Sequence, residues 1–363
     1  MTPALEVAHD GGRYPVYIGT GLLDSLTTLV SRHLPRRRTA LIADTTVAAL
    51  YAEWRTGGLM PWRPRERTCH EDPPSGWSAP FSFPAGEASK TRDTWAQLTD
   101  AMLESGYGRD SGIVALGGGV TGDLAGFVAA TFARGVPFVQ VPTTLLAMLD
   151  ASIGGKTGVD TPHGKNLVGA FHPPAAVIAD LLTLTTLNDR EYRCGLAEAV
   201  KHGLIADAEH FRWIEQHAEA LNARALDALE TLVRRSVAIK TEIVASDEKE
   251  SGRRAVLNAG HTVAHAIERE TGYATLHGEA VAMGLVAECR LGEEMGVTEA
   301  GTAERVAQLL SRLNLPVSPA LPVSSLLPAM RHDKKAVRGE IRLVLPARIG
   351  DVYRNDGGWT VAW

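Results

Sequence analysis

Several things are missing from this sequence, and each absence narrows what it can be. It has no run of about 18 apolar residues, so nothing in it reads as a membrane-spanning helix. The opening Met1-Thr2-Pro3-Ala4-Leu5-Glu6-Val7 lacks the basic start and apolar stretch of a secretory signal. Cysteine is scarce: Cys69, Cys194 and Cys289 are far apart and in no metal-ligand spacing. Unpaired thiols fit a reducing compartment, and the expectation is a cytoplasmic protein. Basic charge is not in excess, since 37 Lys and Arg against 42 Asp and Glu give a formal net charge of -5. That balance argues against nucleic acid as the main partner. An anionic ligand would need cations gathered locally in a mildly acidic molecule. No internal repeat or low-complexity tract is evident.

What is present reads as two halves. At 363 residues the chain is long for one core, so two domains are expected, 1–185 and 186–363. In the first half, short apolar runs alternate with helical stretches. Thr39–Asp44, Gly112–Leu116, Phe138–Val141 and Ala176–Asp180 read as buried strands, and Asp123–Arg134 as a helix. Such alternation implies a mainly parallel sheet covered on both faces. In the second half apolar residues recur at helical spacing through Leu221–Val244, Thr262–Glu270 and Glu279–Gly296, with few strand signals. The Pro-, Arg- and Trp-rich stretch Leu59–Ser82 reads as a surface excursion, and its Cys69-His70-Glu71-Asp72 string as a solvated loop.

Three groups of residues carry chemistry. Gly117-Gly118-Gly119-Val120-Thr121-Gly122-Asp123 follows a strand and opens a helix, where free N–H groups favour phosphate oxygens. A tight strand-to-helix turn alone would carry the same glycines. No acidic residue follows about 20 positions later to hold a ribose, but the earlier strand ending in Asp44 offers one. Lys156 and Lys165, the latter beside Asn166, lie among glycines, hydroxyls and apolar residues, a setting that suits phosphate or carboxylate binding. Finally, Glu198 falls in an apolar helical stretch, His261 and His265 share a helix face at i and i+4, and His277 opens the next helix. Two imidazoles and a carboxylate form an open metal site, although spacing does not choose between His261 and His265.

Together these motifs resemble the 3-dehydroquinate synthase family. The resemblance rests on Gly-Gly-Gly-Val-x-Gly-Asp, Val-Pro-Thr-Thr-Leu-Leu-Ala-Met, Gly-Gly-Lys-Thr and Gly-Lys-Asn-Leu-x-Gly-Ala-Phe. It continues through Gly-x-Ala-Glu-x-x-Lys, Leu-Asn-x-Gly-His-Thr, Leu-His-Gly-Glu-Ala-Val-Ala-Met-Gly and Asp333-Lys334-Lys335, in family order from about Tyr14 to Gly350. It implies a Rossmann-like α/β N-terminal nucleotide-binding domain and a mostly α-helical C-terminal metal and substrate domain. It also implies NAD binding by Asp44, Glu87, Lys90, Gly118, Gly119, Val120, Asp123, Thr143, Thr144 and Thr186, with Lys156 and Lys165 near the cofactor. Zinc, with cobalt as an alternative, would bind Glu198, His261 and His277. His265, Lys156, Asn166 and Arg134 would meet the substrate phosphate. Asp150, Lys165, Lys201, Lys240, Arg254, Leu257, Asn258 and one of Lys334 or Lys335 would surround the rest of the substrate.

The implied reaction converts 3-deoxy-D-arabino-heptulosonate 7-phosphate to 3-dehydroquinate and phosphate. It proceeds by transient oxidation with NAD, phosphate β-elimination, re-reduction and aldol closure, in a soluble enzyme expected to be a homodimer. One departure is Ala264, where the family's histidine pair usually brackets a glycine; a methyl there is tolerable on a helix. Competing readings are an amino-dehydroquinate synthase, or another sugar phosphate cyclase whose substrate lacks the carboxylate. More distant are a metal-dependent polyol dehydrogenase and a non-enzymatic nucleotide-binding regulator. The regulator would be expected to lose at least one of Glu198, His261 and His277, and all three are present.

Overall fold

The structure, a computed structural model, describes residues 1–55, 80–248, 250, 252–319, 323–331, 341–356 and 358–363. The chain divides into two compact units. One comprises Met1–Val7, Gly11–Thr143 and Ala151–Asp180; the other comprises Ala8–Asp10, Thr144–Asp150 and Leu181–Trp363.

The first unit carries strands β1 (Leu5–His9), β2 (Gly12–Gly19), β3 (Arg38–Asp44), β4 (Phe81–Phe83), β5 (Ser111–Gly117) and β6 (Phe138–Pro142). A hairpin, β7 (Lys156–Thr161) and β8 (Gly164–Phe171), precedes β9 (Ala176–Asp180). The sheet order is β1-β2-β9-β6-β5-β3-β4, and every pairing from β2 through β4 is parallel. β5, β6 and β9 are buried at every residue, which explains their unbroken apolar sequence. Alternate residues feed two cores. Ile42, Ile113 and Phe138 pack with Leu98 and Met102 of helix α3 (Arg92–Glu104) and with Leu124 and Val128 of α4 (Gly119–Thr131). Leu41, Val114, Val139 and Ile178 pack with Leu26, Leu29 and Val30 around helix α1 (Leu26–His33). Each such side chain contributes roughly 1.5–3 kcal/mol on burial.

The expected α/β unit with a sheet covered on both faces is therefore what forms. Two details differ. The helix expected from Asp123 begins at Gly119 and ends at Thr131, because Ala133 and Arg134 take left-handed φ of 50° and 71° in a closing 3-10 turn. Phe81 and Ser82, expected in the surface excursion, pair as strand β4 with β3. The rest of that excursion up to residue 79, Cys69 included, lies outside the described residues.

The second unit is helical: α5 (Asp189–Ala206), α6 (Ala208–Asn222), α7 (Leu226–Ser246), α8 (His261–Glu270), α9 (His277–Glu294), α10 (Thr302–Arg312) and α11 (Val323–Arg331). Asn188 caps α5 by accepting from the Glu191 N–H, and Asp207 caps α6 by accepting from that of His210. The helical spacing read through Leu221–Val244 is broken between α6 and α7, where Arg224 takes φ 55°. Gly284 of α9 packs so tightly that an added Cβ would lie 2.0 Å from the Gly260 carbonyl oxygen just before α8. No helix among the described residues is long and apolar enough to cross a membrane.

Candidate active site

In the second unit, α5, α8 and α9 each deliver one member of a buried cluster. Glu198 is fully buried on α5, and its Oε1 lies 3.6 Å from His261 Nε2 and 3.3 Å from His277 Nε2. His261 is the first residue of α8 and His277 the first of α9. The ligand atoms of the three residues all fall within 4.8 Å of one another. The buried Glu198 carboxylate is faced by the two imidazoles and by Lys201, and its oxygens are lone-pair donors that a cation would take. Two imidazoles and one carboxylate this close together fit zinc or cobalt. The outer contacts are set as well: His261 Nδ1 faces the Ala259 carbonyl at 3.1 Å, and His277 Nδ1 faces Glu268 Oε1 at 3.5 Å. Burial alone would lower the His277 pKa, but hydrogen bonds and charge from Glu198 and Glu268 outweigh it and raise it to about 10.

Cations surround this cluster. Lys201, one helical turn from Glu198, places Nζ 2.5 Å from Glu198 Oε2 and is itself buried. Burial favours the neutral amine, yet Glu198 and Asp150 together hold its pKa above the ordinary value. Asp150 lies in a π-type turn (Ala147–Ala151), and its Oδ1 meets Lys240 Nζ at 2.8 Å and His202 Nε2 at 3.6 Å. Burial would raise the Asp150 pKa, but Lys240, Lys201 and His202 hold it well below the usual carboxylate range. Lys240 goes the other way: its burial outweighs Asp150, with Arg254 and Lys201 adding repulsion, and its pKa falls. Arg254 and Asn258 lie on one 3-10 turn (Arg253–Asn258); Arg254 is buried, and Asn258 Nδ2 donates to Glu250 Oε1 at 2.9 Å. His265 stands edge-on to His261, ring centroids 5.7 Å apart.

In the first unit, the glycine turn joins β5 to α4. Gly118 caps α4 with no side-chain bond, leaving the first N–H groups of the helix for a ligand. An added Cβ at Gly122 would lie 2.6 Å from Gln140 Oε1 and one at Gly126 2.5 Å from Thr157 Cγ2, so these glycines let α4 lie close on β6 and β7. Asp44 caps the helix after β3 (α2, Thr45–Arg55), with Oδ1 accepting from the N–H groups of Thr46 and Val47. Lys90 is buried, and its Nζ donates to Asp123 Oδ2 at 2.5 Å and to Asn166 Oδ1 at 2.6 Å. Lys165 Nζ faces Glu87 Oε1 at 3.3 Å.

The sequence comparisons decide the family. The 3-dehydroquinate synthase N-terminal pattern matches residues 80–194, and the C-terminal pattern matches residues 195–336. A 3-dehydroquinate synthase of Symbiobacterium thermophilum is 47% identical over 344 residues, covering 94% of this chain and 93% of the relative. The chain belongs to the 3-dehydroquinate synthase family. Among solved structures, the 2-epi-5-epi-valiolone synthase of Streptomyces hygroscopicus subsp. jinggangensis, with NAD+ and Zn2+ bound, is 31% identical. The match covers 97% of this chain and 94% of that one, with a TM-score of 0.81. A 2-deoxy-scyllo-inosose synthase, complexed with carbaglucose-6-phosphate, NAD+ and Co2+, shares the fold at TM-score 0.84 and 24% identity, covering 99% and 96% of the two chains.

Within this 3-dehydroquinate synthase fold, the residues singled out in the sequence fall into separate groups. Glu198, His261, His265, His277, Lys201, Asp150 and Lys240 gather around the α5–α8–α9 cluster. Lys90, Asp123 and Asn166 gather beside the glycine turn. Arg134 is exposed at the end of its left-handed turn, and Lys156 is exposed at the start of β7. Thr143 donates its N–H to the Gly117 carbonyl, while Thr144 Oγ1 accepts from the Ala147 N–H and Thr186 Oγ1 donates to the Thr183 carbonyl. Lys334 and Lys335 lie outside the described residues. Sequence reasoning passed over His202 and Glu268. Glu268 is seven residues after His261 and so on the same helix face, a signal that was there to be used. His202 gives none beyond standing next to Lys201.

Proposed function

We propose that this chain is a 3-dehydroquinate synthase, a carbon–oxygen lyase. It takes 3-deoxy-D-arabino-heptulosonate 7-phosphate to 3-dehydroquinate and phosphate by β-elimination and aldol closure, with no net redox change. The observation that carries the reading is the buried Glu198 carboxylate facing two imidazoles with Lys201 held against it. When bound to Glu198, His261 and His277, zinc or cobalt supplies a Lewis acid, and NAD at the glycine turn supplies a reversible hydride acceptor.

The chain's own groups do the rest. Lys201 stays protonated and keeps a fixed positive charge beside the carboxylate. Lys240, with its pKa lowered by burial, gives up a proton more readily than an exposed lysine. Asp150 stays ionised and orients Lys240. The Arg254 guanidinium suits a two-pronged grip on the substrate carboxylate, which a lysine could not provide. The family resemblance assigns His265, Asn166, Lys156 and Arg134 to the substrate phosphate, and Lys165, Asn258 and one of Lys334 or Lys335 to the remaining polar contacts. Asp44, Glu87, Lys90, Asp123 and the threonines at 143, 144 and 186 serve the dinucleotide.

The enzyme is taken as a cytoplasmic homodimer whose partner is a small anionic sugar acid, not nucleic acid or membrane. Its net charge of -5 weighs against nucleic acid, and its buried free Cys194 and Cys289 fit a reducing compartment. Light scattering on the purified protein reads the dimer.

The test is incubation with the heptulosonate phosphate, catalytic NAD and zinc. Phosphate and dehydroquinate should appear in equal amounts with no accumulating NADH. Accumulating NADH would point to a dehydrogenase, and turnover only of a heptulose phosphate lacking the carboxylate would favour the valiolone-synthase type.

A further inference from the structure

Lys90 and Asn166, read above as cofactor and phosphate residues, are distant in sequence and are tied together by a residue that reading does not use. We infer that Asp160 is a positioning residue that fixes Lys90 and Asn166 in one geometry, an inference that rests on the proposed function for the roles of those two. The pairing of β7 and β8 shifts register between Val159 and Thr161, which takes Asp160 out of the ladder. Irregularities of this kind re-aim a side chain. The freed Asp160 N–H donates to the Lys90 carbonyl at 2.7 Å, and Thr91 forms a parallel bridge with Asp160. Its Oδ1 accepts from the Asn166 N–H at 2.8 Å.

Asn166 needs that hold. Its φ is 54°, in the left-handed region, which costs an ordinary residue about 1–2 kcal/mol and asparagine less. The ring then closes through side chains, since Asn166 Oδ1 accepts from Lys90 Nζ at 2.6 Å. With Oδ1 committed to the ammonium, the Nδ2 donor is the end of the amide left to meet a phosphate oxygen. Lys90 is fixed from both sides, its carbonyl by Asp160 and its ammonium by Asn166 and Asp123. Without an acceptor at Asp160, Asn166 would relax from the left-handed region and its Oδ1 would leave Lys90.

The experiment compares Asp160→Ala, Asp160→Asn and Asn166→Ala for NAD affinity, KM, kcat and Tm. NAD affinity is read by quenching of intrinsic fluorescence and so does not depend on turnover. Asp160→Ala should weaken NAD and raise KM for the heptulosonate phosphate roughly tenfold, the effect of one charge-assisted hydrogen bond. Asp160→Asn keeps an acceptor oxygen for the Asn166 N–H and should restore both values to within a few-fold of the parent. A lowered Tm with unchanged KM and NAD affinity in Asp160→Ala would reduce Asp160 to a hairpin brace and overturn the inference. Equal damage from Asp160→Asn and Asp160→Ala would also overturn it, because charge and not the acceptor would then be what matters. An unchanged KM in Asn166→Ala would overturn it too, but would place the failure in the reading of Asn166. Impaired Asn166→Ala beside a normal Asp160→Ala would sink the inference alone.

Discussion

Glu198 illustrates why single residues here are sensitive to their surroundings. A carboxylate with no exposure would ordinarily cost several kcal/mol to keep ionised. Lys201, then His277 and His261, offset that burial, and its pKa ends below the usual carboxylate range. Removing one imidazole leaves two ligands of three. His261→Ala should therefore lower zinc affinity by about 100-fold or more, at least the loss seen when outer contacts are removed. Competition with a chromogenic chelator measures this, while far-ultraviolet circular dichroism should stay that of the parent; parental zinc affinity would remove His261 from the ligand set.

A second residue-scale effect concerns His210, which is fully buried with Nε2 3.0 Å from Ser236 Oγ. Burial, with repulsion from His202 and Arg235, lowers its pKa to about 3. The unfolded chain takes up the proton near pH 6.5 and the folded chain does not, so this contribution is complete above pH 6.5. It is lost as pH falls from there towards 3, by up to about 1.4 kcal/mol per pH unit. Urea midpoints at pH 7 and pH 5 should show the drop, and His210→Gln should flatten the difference.

At the scale of elements, the contact of α9 with the start of α8 sets where His261 points. Gly260 takes φ 78° and has no side chain to cap α8. Glu288, buried on α9, supplies the acceptor from outside: Oε2 takes the Gly260 N–H at 2.7 Å and Oε1 the Val263 N–H at 3.4 Å. Glu288→Leu should cost about 1–3 kcal/mol by stranding that N–H, and Glu288→Gln should recover most of it. Calorimetry on the two variants decides the point, since equal stabilities would deny the cap.

Two glycine substitutions give a sharper contrast. At Gly284 a methyl meets the Gly260 carbonyl oxygen at 2.0 Å, backbone against backbone, with no rotamer to relieve it. At Gly122 the nearest atom, 2.6 Å away, is the far end of the Gln140 side chain, which can turn. Gly122→Ala should cost under about 1 kcal/mol and Gly284→Ala more than about 3 kcal/mol, above the usual range for an overpacked core. The reverse order in chemical denaturation would overturn this account of helix packing.

For the molecule as a whole, the net charge of -5 hides the local arrangement. Lys201, Lys240 and Arg254 are buried beside Asp150 and Glu198, so positive charge is concentrated where an anionic substrate is proposed to bind. A cation held by Glu198, His261 and His277, as proposed, would bind the folded state and stabilise it by mass action. Zinc at 100 times its dissociation constant should add about 2.7 kcal/mol, and chelation should remove it. A Tm unchanged by chelator, in protein shown by elemental analysis to have lost its metal, would deny that the ion braces these helices.

Much of this was readable in one dimension. β3, β5, β6 and β9 announce themselves because a strand covered on both faces must be apolar throughout. The glycine turn, the i and i+4 histidines and the His277 helix start are local patterns, and local patterns survive in a bare sequence. The break between α6 and α7 was not readable, because apolar spacing runs on across the left-handed Arg224. Strand β4 was hidden by its three-residue length and by the Pro-rich stretch before it.

By itself, then, the sequence determined the four central strands and the helical character of the second half, which family they make and which side chains are candidates for chemistry. All of these follow from period, composition and short motifs. Only the tertiary structure decided that Glu198 faces His261 and His277 with Lys201 against it, that Glu288 caps a helix 28 residues away, and that Asp160 joins Lys90 to Asn166. Those are contacts between residues far apart along the chain. Their free energy depends on burial and on angles between elements, which no local pattern encodes.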